Sequence, residues 1–354
     1  MSDPEIICKK LGSCGVITLN RPNALNALNL DMVREIARAL DAWEIDTEIK
    51  SVVIKGAGGK AFCCGGDIKA IYEFGKAGRH EDQLAFWREE YILNRRIKFY
   101  PKPYVALLDG IVMGGGAGLS LHGSHRIAGD KFSFAMPEVG IGFFPDIGAT
   151  YFLPRLPGKL GTYLALTGAR LTCGDGVAFG LATAYVPSSQ HEALLQKLIA
   201  GEDVDGAAAA TASQAPDSDL MKQKHFVDGC FGAATLVDIL EEIDEAGYGG
   251  SMFAMNTYDT IRAKSPLSLS LALRLVQLGA KLDLDEALRM EFRVAARVAM
   301  GHDFYEGVRA LLIDKDNNPV WTHKEIEAVK PGEIDPYFEP IPGELEFPGL
   351  ATAP

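Results

Sequence analysis

The sequence predicts an α/β fold followed by a helical C-terminal region, and three observations carry that prediction. Short apolar, β-branched runs alternate with helical patterns through the first half. Each such run is followed by glycine-rich punctuation, and near Gly201 the texture changes to apolar residues recurring at helical spacing. A chain of 354 residues, set against a domain size of about 150, suggests about two domains. The change of texture divides them as residues 1–200, a core that carries the chemistry, and residues 201–354, a linker with helices after it.

Taken in order, residues 16–19 read as a strand ending at Asn20-Arg21-Pro22. Asn29 is placed to cap a helix over residues 30–43, with Leu30, Val33, Ile36, Ala37 and Leu40 on one face. Residues 51–55 read as a buried strand, residues 81–98 as a long amphipathic helix, and residues 104–108 as a strand just after Pro101 and Pro103. Residues 201–219 are alanine-rich and acidic with Pro216 among them, which predicts a linker or loosely packed insertion. Helices are expected over 267–278, 283–299 and 303–313, with caps at Ser265-Pro266, Asp283 and Asp303.

Composition narrows the function. Apolar residues make up 47% and charged residues 23%, as in globular chains and unlike disordered ones. The uncharged run over residues 111–121 is far shorter than the roughly 20 apolar residues that cross a bilayer, so no membrane span is expected. The net charge of −12 opposes nucleic acid and anionic lipid. Cys8, Cys14, Cys63, Cys64, Cys173 and Cys230 show no Cys-x-x-Cys spacing, and residues 1–5 lack the basic start and apolar core of a signal peptide. A reducing compartment is expected, cytoplasmic, or the mitochondrial matrix where a transit peptide has been removed.

Two glycine-rich junctions stand where strands meet helices: Lys60-Ala61-Phe62-Cys63-Cys64-Gly65-Gly66-Asp67-Ile68 and Met113-Gly114-Gly115-Gly116-Ala117-Gly118-Leu119. Such turns either permit tight packing or aim unpaired backbone N–H groups at one point, as an oxyanion hole requires. Dinucleotide and P-loop templates fail, because Leu119 stands where a last glycine belongs and Gly58-Gly59-Lys60-Ala61 lacks the Ser or Thr. Ser120 departs from the nucleophile-elbow pattern and reads as packing, as do Cys63 and Cys64. His122 and His125 lack further ligands at metal-binding spacing, so no metal is expected. Glu138 and Asp146 lie in an otherwise uncharged stretch over residues 136–148. Burial there raises a carboxyl pKa and equips one of them as a base or nucleophile, unless they only cap helices or satisfy backbone donors.

Phe62-Cys63-Cys64-Gly65-Gly66-Asp67, Met113-Gly114-Gly115-Gly116 and Pro137-Glu138, in this order and at these separations, resemble the crotonase (enoyl-CoA hydratase/isomerase) superfamily. Arg88-Glu89-Glu90-Tyr91, Phe144-Pro145-Asp146-Ile147-Gly148 and Asp303-Phe304-Tyr305-Glu306-Gly307-Val308-Arg309-Ala310 are similar to its branch that hydrolyses 3-hydroxyacyl-CoA thioesters. The resemblance covers roughly residues 17–321. It implies a spiral of ββα units with a helical C-terminal region, and an acyl-CoA whose thioester oxygen meets the Gly66 and Gly115 amides. It further implies a catalytic Glu138, with Glu90 and Asp146 beside the acyl group. The superfamily's hydratases carry a second glutamate where this chain has Gly118, so the resemblance favours hydrolysis over water addition.

The implied reaction is hydrolysis of 3-hydroxyisobutyryl-CoA in valine breakdown, with CoA as part of the substrate and no separate cofactor. Glu138 serves either as nucleophile, forming a mixed anhydride, or as general base on water. Glu90 or Asp146 accepts a hydrogen bond from the 3-hydroxyl. Lys69, just after Asp67, is the candidate to meet a CoA phosphate. Two other readings remain open: an enoyl-CoA hydratase/isomerase pairing Glu138 with Asp146 or Glu90, and a non-catalytic acyl-CoA-binding protein. The resemblance leaves open whether the chain is a homo-oligomer, since the C-terminal helices can cover the same surface within one chain.

Overall fold

The computed structural model describes residues 3–347 and 349. A six-stranded sheet holds, in spatial order, β1 (Ile6–Leu11), β2 (Cys14–Leu19), β3 (Ser51–Gly56), β5 (Tyr104–Leu108), β7 (His125–Ala128) and β9 (Ala184–Tyr185). A three-stranded sheet holds β4 (Ala61–Cys63), β6 (Ile111–Met113) and β8 (Ser133–Ala135). β1 and β2 pair antiparallel, and the remaining pairs are parallel. Thus β3 and β4, β5 and β6, and β7 and β8 each give one strand to either sheet. Helices α2 (Ile68–Lys76) and α3 (His80–Lys98) follow β4, and α4 (Gly115–Leu121) follows β6. This is the expected spiral of ββα units.

The strand side chains alternate between two cores, as the period of two requires. On one face Val16, Val53, Val105, Leu107 and Ile127 meet Leu194, Leu195 and Leu198 of helix His191–Ile199. On the other, Ile17, Leu19, Ile54, Ala106 and Leu108 pack with Met32, Val33, Ile36 and Leu40 of α1 (Leu30–Ile45). Helix α1 starts where the sequence places it, the Asn29 side chain accepting from the Met32 N–H at 2.9 Å.

The expected linker contains a helix. Val204–Thr211 is capped by Asp203, which accepts from the Gly206 N–H, and it buries Val204, Ala207 and Ala208 on the outer face of the large sheet. Alanine makes a close-packing helix without the large apolar stripe that reveals one in sequence.

Beyond it, helices Pro266–Gly279 and Leu284–Val298 begin at Ser265 and Asp283 as expected, the latter through a capping box with Glu286. Asp303 is not a cap: helix His302–Val308 starts at Gly301 and passes into a π-helix over Arg309–Ile313. The buried Asp303 carboxylate accepts from Ser265 Oγ at 2.6 Å and from Thr322 N–H and Oγ1–H at 2.8 and 2.7 Å, tying three segments together. The C-terminal tail straps α3 to Leu284–Val298. Arg88 donates to the Gly343 and Glu344 carbonyls, and Arg293 pairs bidentately with the Glu344 carboxylate.

Candidate active site

Helix α3 buries Gln83, Phe86, Trp87, Glu90, Tyr91, Leu93, Asn94 and Ile97 on its inner face, a helical stripe with three amides or carboxyls among apolar side chains. That face meets α4, which is glycine-rich for a steric reason. A Cβ on Gly115 would stand 2.4 Å from Glu90 Oε1, and one on Gly118 would stand 2.7 Å from Asn94 Nδ2. Gly114 turns the chain out of β6 at φ +45°, a conformation that favours glycine.

The two glycine junctions converge. The Cβ direction of Gly115 comes within 3.4 Å of the Gly66 amide nitrogen. Gly115 is the first residue of α4, so its amide has no intrahelical acceptor. Among the described residues neither the Gly66 nor the Gly115 N–H meets a protein acceptor. Glu138 opens the turn Glu138–Ile141, and its Oε1 lies 3.4 Å from the Cβ direction of Gly114. Two free amides therefore stand beside two carboxyls, Glu90 and Glu138.

Asp146 completes the group. Tyr91, next to Glu90 on α3, donates its hydroxyl to Asp146 Oδ2 at 2.7 Å. The following residues, Ile147 and Gly148, are left-handed at φ +59° and +84°. They are held from both sides: His122 Nε2 bonds the Ile147 carbonyl at 2.7 Å, and Glu291 of Leu284–Val298 accepts from the Gly148 and Thr150 N–H groups at 2.7 Å each.

The electrostatics are unusual for an acidic chain. Glu90, Glu138, Asp146 and Glu291 are all buried, and among the described residues none pairs with a lysine or arginine. Burial, and then the charge of Asp146, hold Glu90 and Glu138 well above the usual carboxylate range. Burial lifts Asp146 to about 7 against the opposing Tyr91 hydrogen bond, and burial with the Asp146 charge lifts Glu291 to about 8. Glu90 Oε1 and Glu138 Oε2 are buried with no hydrogen-bond partner among the described residues. Groups left this way in a packed interior call for a ligand, a proton or water.

The remaining sequence candidates fall into place. Lys69 lies exposed in the first turn of α2, three residues from Gly66, with no ion pair among the described residues. Ser120 donates to the Gly116 carbonyl inside α4, a packing role. Cys63 is fully buried and burial raises its thiol pKa far above neutrality, so it packs and does not attack. Sequence reasoning missed Tyr91, His122 and Glu291, which brace the site, and Asn94, which lies one turn from Glu90. Glu291 carried a readable signal, an acid in the apolar stripe of Leu284, Leu288, Phe292 and Ala295.

Comparison with known proteins agrees with this geometry. The family model "Enoyl-CoA hydratase/isomerase" matches residues 14–338. A Danio rerio protein named 3-hydroxyisobutyryl-CoA hydrolase, mitochondrial, is 47% identical over 350 residues, covering 95% of this chain and 90% of its own. The Homo sapiens protein of that name is 44% identical, over 97% and 91%. Among solved structures, a carnitinyl-CoA dehydratase from Mycobacterium thermoresistibile matches with TM-score 0.93 and 40% identity, over 98% of this chain and 100% of that one. An enoyl-CoA hydratase from Rhodobacter sphaeroides 2.4.1 matches with TM-score 0.91 and 40% identity, over 97% and 100%. A ββα spiral with converging glycine turns, matched along almost its whole length, places this chain in the enoyl-CoA hydratase/isomerase family.

Proposed function

We propose that this protein is a thioester hydrolase that converts 3-hydroxyisobutyryl-CoA to 3-hydroxyisobutyrate and CoA. The observation that carries the reading is the pair of unengaged amides, Gly66 and Gly115, facing the buried Glu138 carboxyl. The hydrolase names of relatives 42–47% identical along nearly the full chain support the substrate.

In this scheme the thioester oxygen accepts a hydrogen bond from each of the two amide N–H groups. Negative charge builds on that oxygen as the carbonyl carbon is attacked, and each preorganised donor contributes about a hundred- to a thousandfold in rate. Glu138 attacks the carbon to give a mixed anhydride that water then opens, or it takes the proton of an attacking water. By either route the C–S bond breaks, water's oxygen ends in a carboxylate, that of the product or, where water opens the anhydride at the Glu138 carbon, that of Glu138, and one of water's protons goes to the departing sulfur. The carbonyl is polarised by backbone donors, so the scheme calls for no metal or redox cofactor, and CoA enters only as part of the substrate.

Glu138 has to be ionised to act, and burial first, then the charge of Asp146, oppose that. A proton on Asp146, whose carboxyl is lifted to about 7, removes the second of these effects and leaves burial as the one that the bound substrate has to offset. Glu90 or Asp146 pairs the acyl hydroxyl. We assign Lys69, exposed and without an ion pair among the described residues, to a CoA phosphate. The relatives' names include the word mitochondrial, which supports the matrix among the reducing compartments.

The solved structures bear hydratase and dehydratase titles, so the test sets both reactions side by side. Free thiol released from 3-hydroxyisobutyryl-CoA, without hydration of crotonyl-CoA, is the expected result. Hydration without thiol release would replace the hydrolase by the hydratase reading.

A further inference from the structure

Three polar side chains interrupt the buried face of α3, and they are treated differently. Gln83 is fully satisfied, its Nε2 donating to the Ile71 carbonyl at 2.9 Å and its Oε1 bonding His80 Nδ1 at 2.8 Å. Glu90 Oε1 has no partner, and one turn further on neither Nδ2 nor Oδ1 of Asn94 has one, although Asn94 is 0% exposed. An amide left unpaired in a packed interior costs about 1–3 kcal/mol. A purely structural position would be filled by leucine or methionine at no such cost.

The orphan atoms of Glu90 and Asn94 are aimed at neighbouring points. Glu90 Oε1 lies 2.4 Å from the Cβ direction of Gly115, and Asn94 Nδ2 lies 2.7 Å from that of Gly118. Glu90 and Asn94 are themselves four apart on α3, the spacing of side-chain neighbours on a helix. A single oxygen atom about 2.8 Å from each group bridges such neighbours. Gly115 is also the glycine that approaches Gly66, so the pair adjoins the thioester site.

We propose that Asn94 and Glu90 together form a slot for one O–H oxygen, and that the slot takes the 3-hydroxyl of the acyl group, making Asn94 a specificity-determining residue. The chemistry follows from what the two groups offer. Asn94 presents a donor and an acceptor, so a hydroxyl is paired on both sides whether Glu90 is ionised or protonated. A methyl group or an ether oxygen leaves at least one of them unpaired. Gly118 is the geometric counterpart of this arrangement, because any side chain there would take the space of the Asn94 amide. The inference rests on the proposed hydrolase reading, and the shared chemistry of an O–H oxygen also fits a permanently bound water.

Asn94→Leu keeps the volume and removes both hydrogen-bonding atoms. We expect kcat/KM for 3-hydroxyisobutyryl-CoA to fall about ten- to a hundredfold, while that for isobutyryl-CoA, which lacks the hydroxyl, stays within about twofold. The melting temperature should hold or rise, because an unpaired amide has been removed. Equal loss on both substrates, with an ordered oxygen between Glu90 and Asn94 in a crystal structure of the wild type, assigns the slot to water. Unchanged kinetics on both substrates, or equal loss with no such oxygen, overturns the slot. Where Asn94→Leu lowers the melting temperature, Gly118→Ala tests the same point by displacing the amide, and the same outcomes apply. Absence of CoA release by the wild type would instead defeat the hydrolase reading, so the two failures are distinguishable.

Discussion

Asp146 and Asp175 are nearly equally shielded from solvent, at 5% and 4% exposure, yet they behave in opposite ways. Asp175, just beneath the surface at the start of helix Cys173–Ala178, accepts from Thr172 N–H and Oγ1–H, Ser218 Oγ–H and Leu220 N–H at 2.7–3.2 Å. Burial works against its charge, but these hydrogen bonds outweigh it and hold the carboxyl below its usual range. Asp146, deep among Glu90, Glu138 and Glu291, has one hydroxyl partner and, among the described residues, no cation, and burial takes it to about 7. A buried carboxylate surrounded by donors is held ionised, and one left short of them is held toward its protonated form.

That contrast can be broken from either side. Among variants that leave Glu138 in place, the largest effect is expected at the glycine that faces the carboxyls. Gly115→Ala drives a methyl into Glu90 Oε1 and shifts the adjacent amide, so kcat should fall about a hundred- to a thousandfold while far-ultraviolet circular dichroism stays unchanged.

Asp146→Asn separates charge from shape. The folded-state carboxyl is raised above its unfolded value of 3.8, to about 7, so the folded chain binds more protons than the unfolded one within that window. Wild-type stability is therefore lost as pH rises from about 4 to 7 through this group. The variant should melt higher relative to wild type at pH 8 than at pH 5. The acid limb of its pH–rate profile, which the proposed reading attributes to ionisation of Glu138, should move to lower pH, since the Asp146 charge no longer opposes that ionisation.

Asp175→Asn should do the reverse. The lowered pKa of Asp175 contributes stability above its unfolded value that disappears as pH falls through the folded one. The variant should lose about 1–3 kcal/mol at pH 7, converge on wild type in acid, and leave kcat within about twofold. The smallest effect belongs to the C-terminal strap. Breaking the half-exposed Arg293–Glu344 pair with Arg293→Ala should lower stability by about 1 kcal/mol or less, measured by urea denaturation, and lower activity only through the support it gives α3.

The same contrast explains what the sequence displays and what it hides. Strands such as Tyr104–Leu108, and helices opened by Asn29, Ser265 or Asp283, are written locally as apolar run, period and cap. Glu138 and Asp146 are visible because two carboxyls sit in an uncharged stretch, and Gly66 and Gly115 because glycine runs follow strands. Glu90 is different: within α3 nothing local distinguishes it from Gln83, and only family resemblance singles it out. Asn94 and Glu291 depend on partners in other elements, and Glu291 acts on a loop 143 residues away. The helix Val204–Thr211 is hidden by its alanines, whose small side chains pack closely and leave no stripe.

The central claim is that Glu138, facing the two glycine amides, is the group that opens the thioester. The most direct test is steady-state CoA release from 3-hydroxyisobutyryl-CoA by Glu138→Gln, which keeps the side chain's shape and removes its charge. The account predicts a loss of about a hundred- to ten-thousandfold in kcat with a KM close to that of the wild type. Turnover within a few-fold of the wild type would contradict it and leave the assigned role of Glu138 without support.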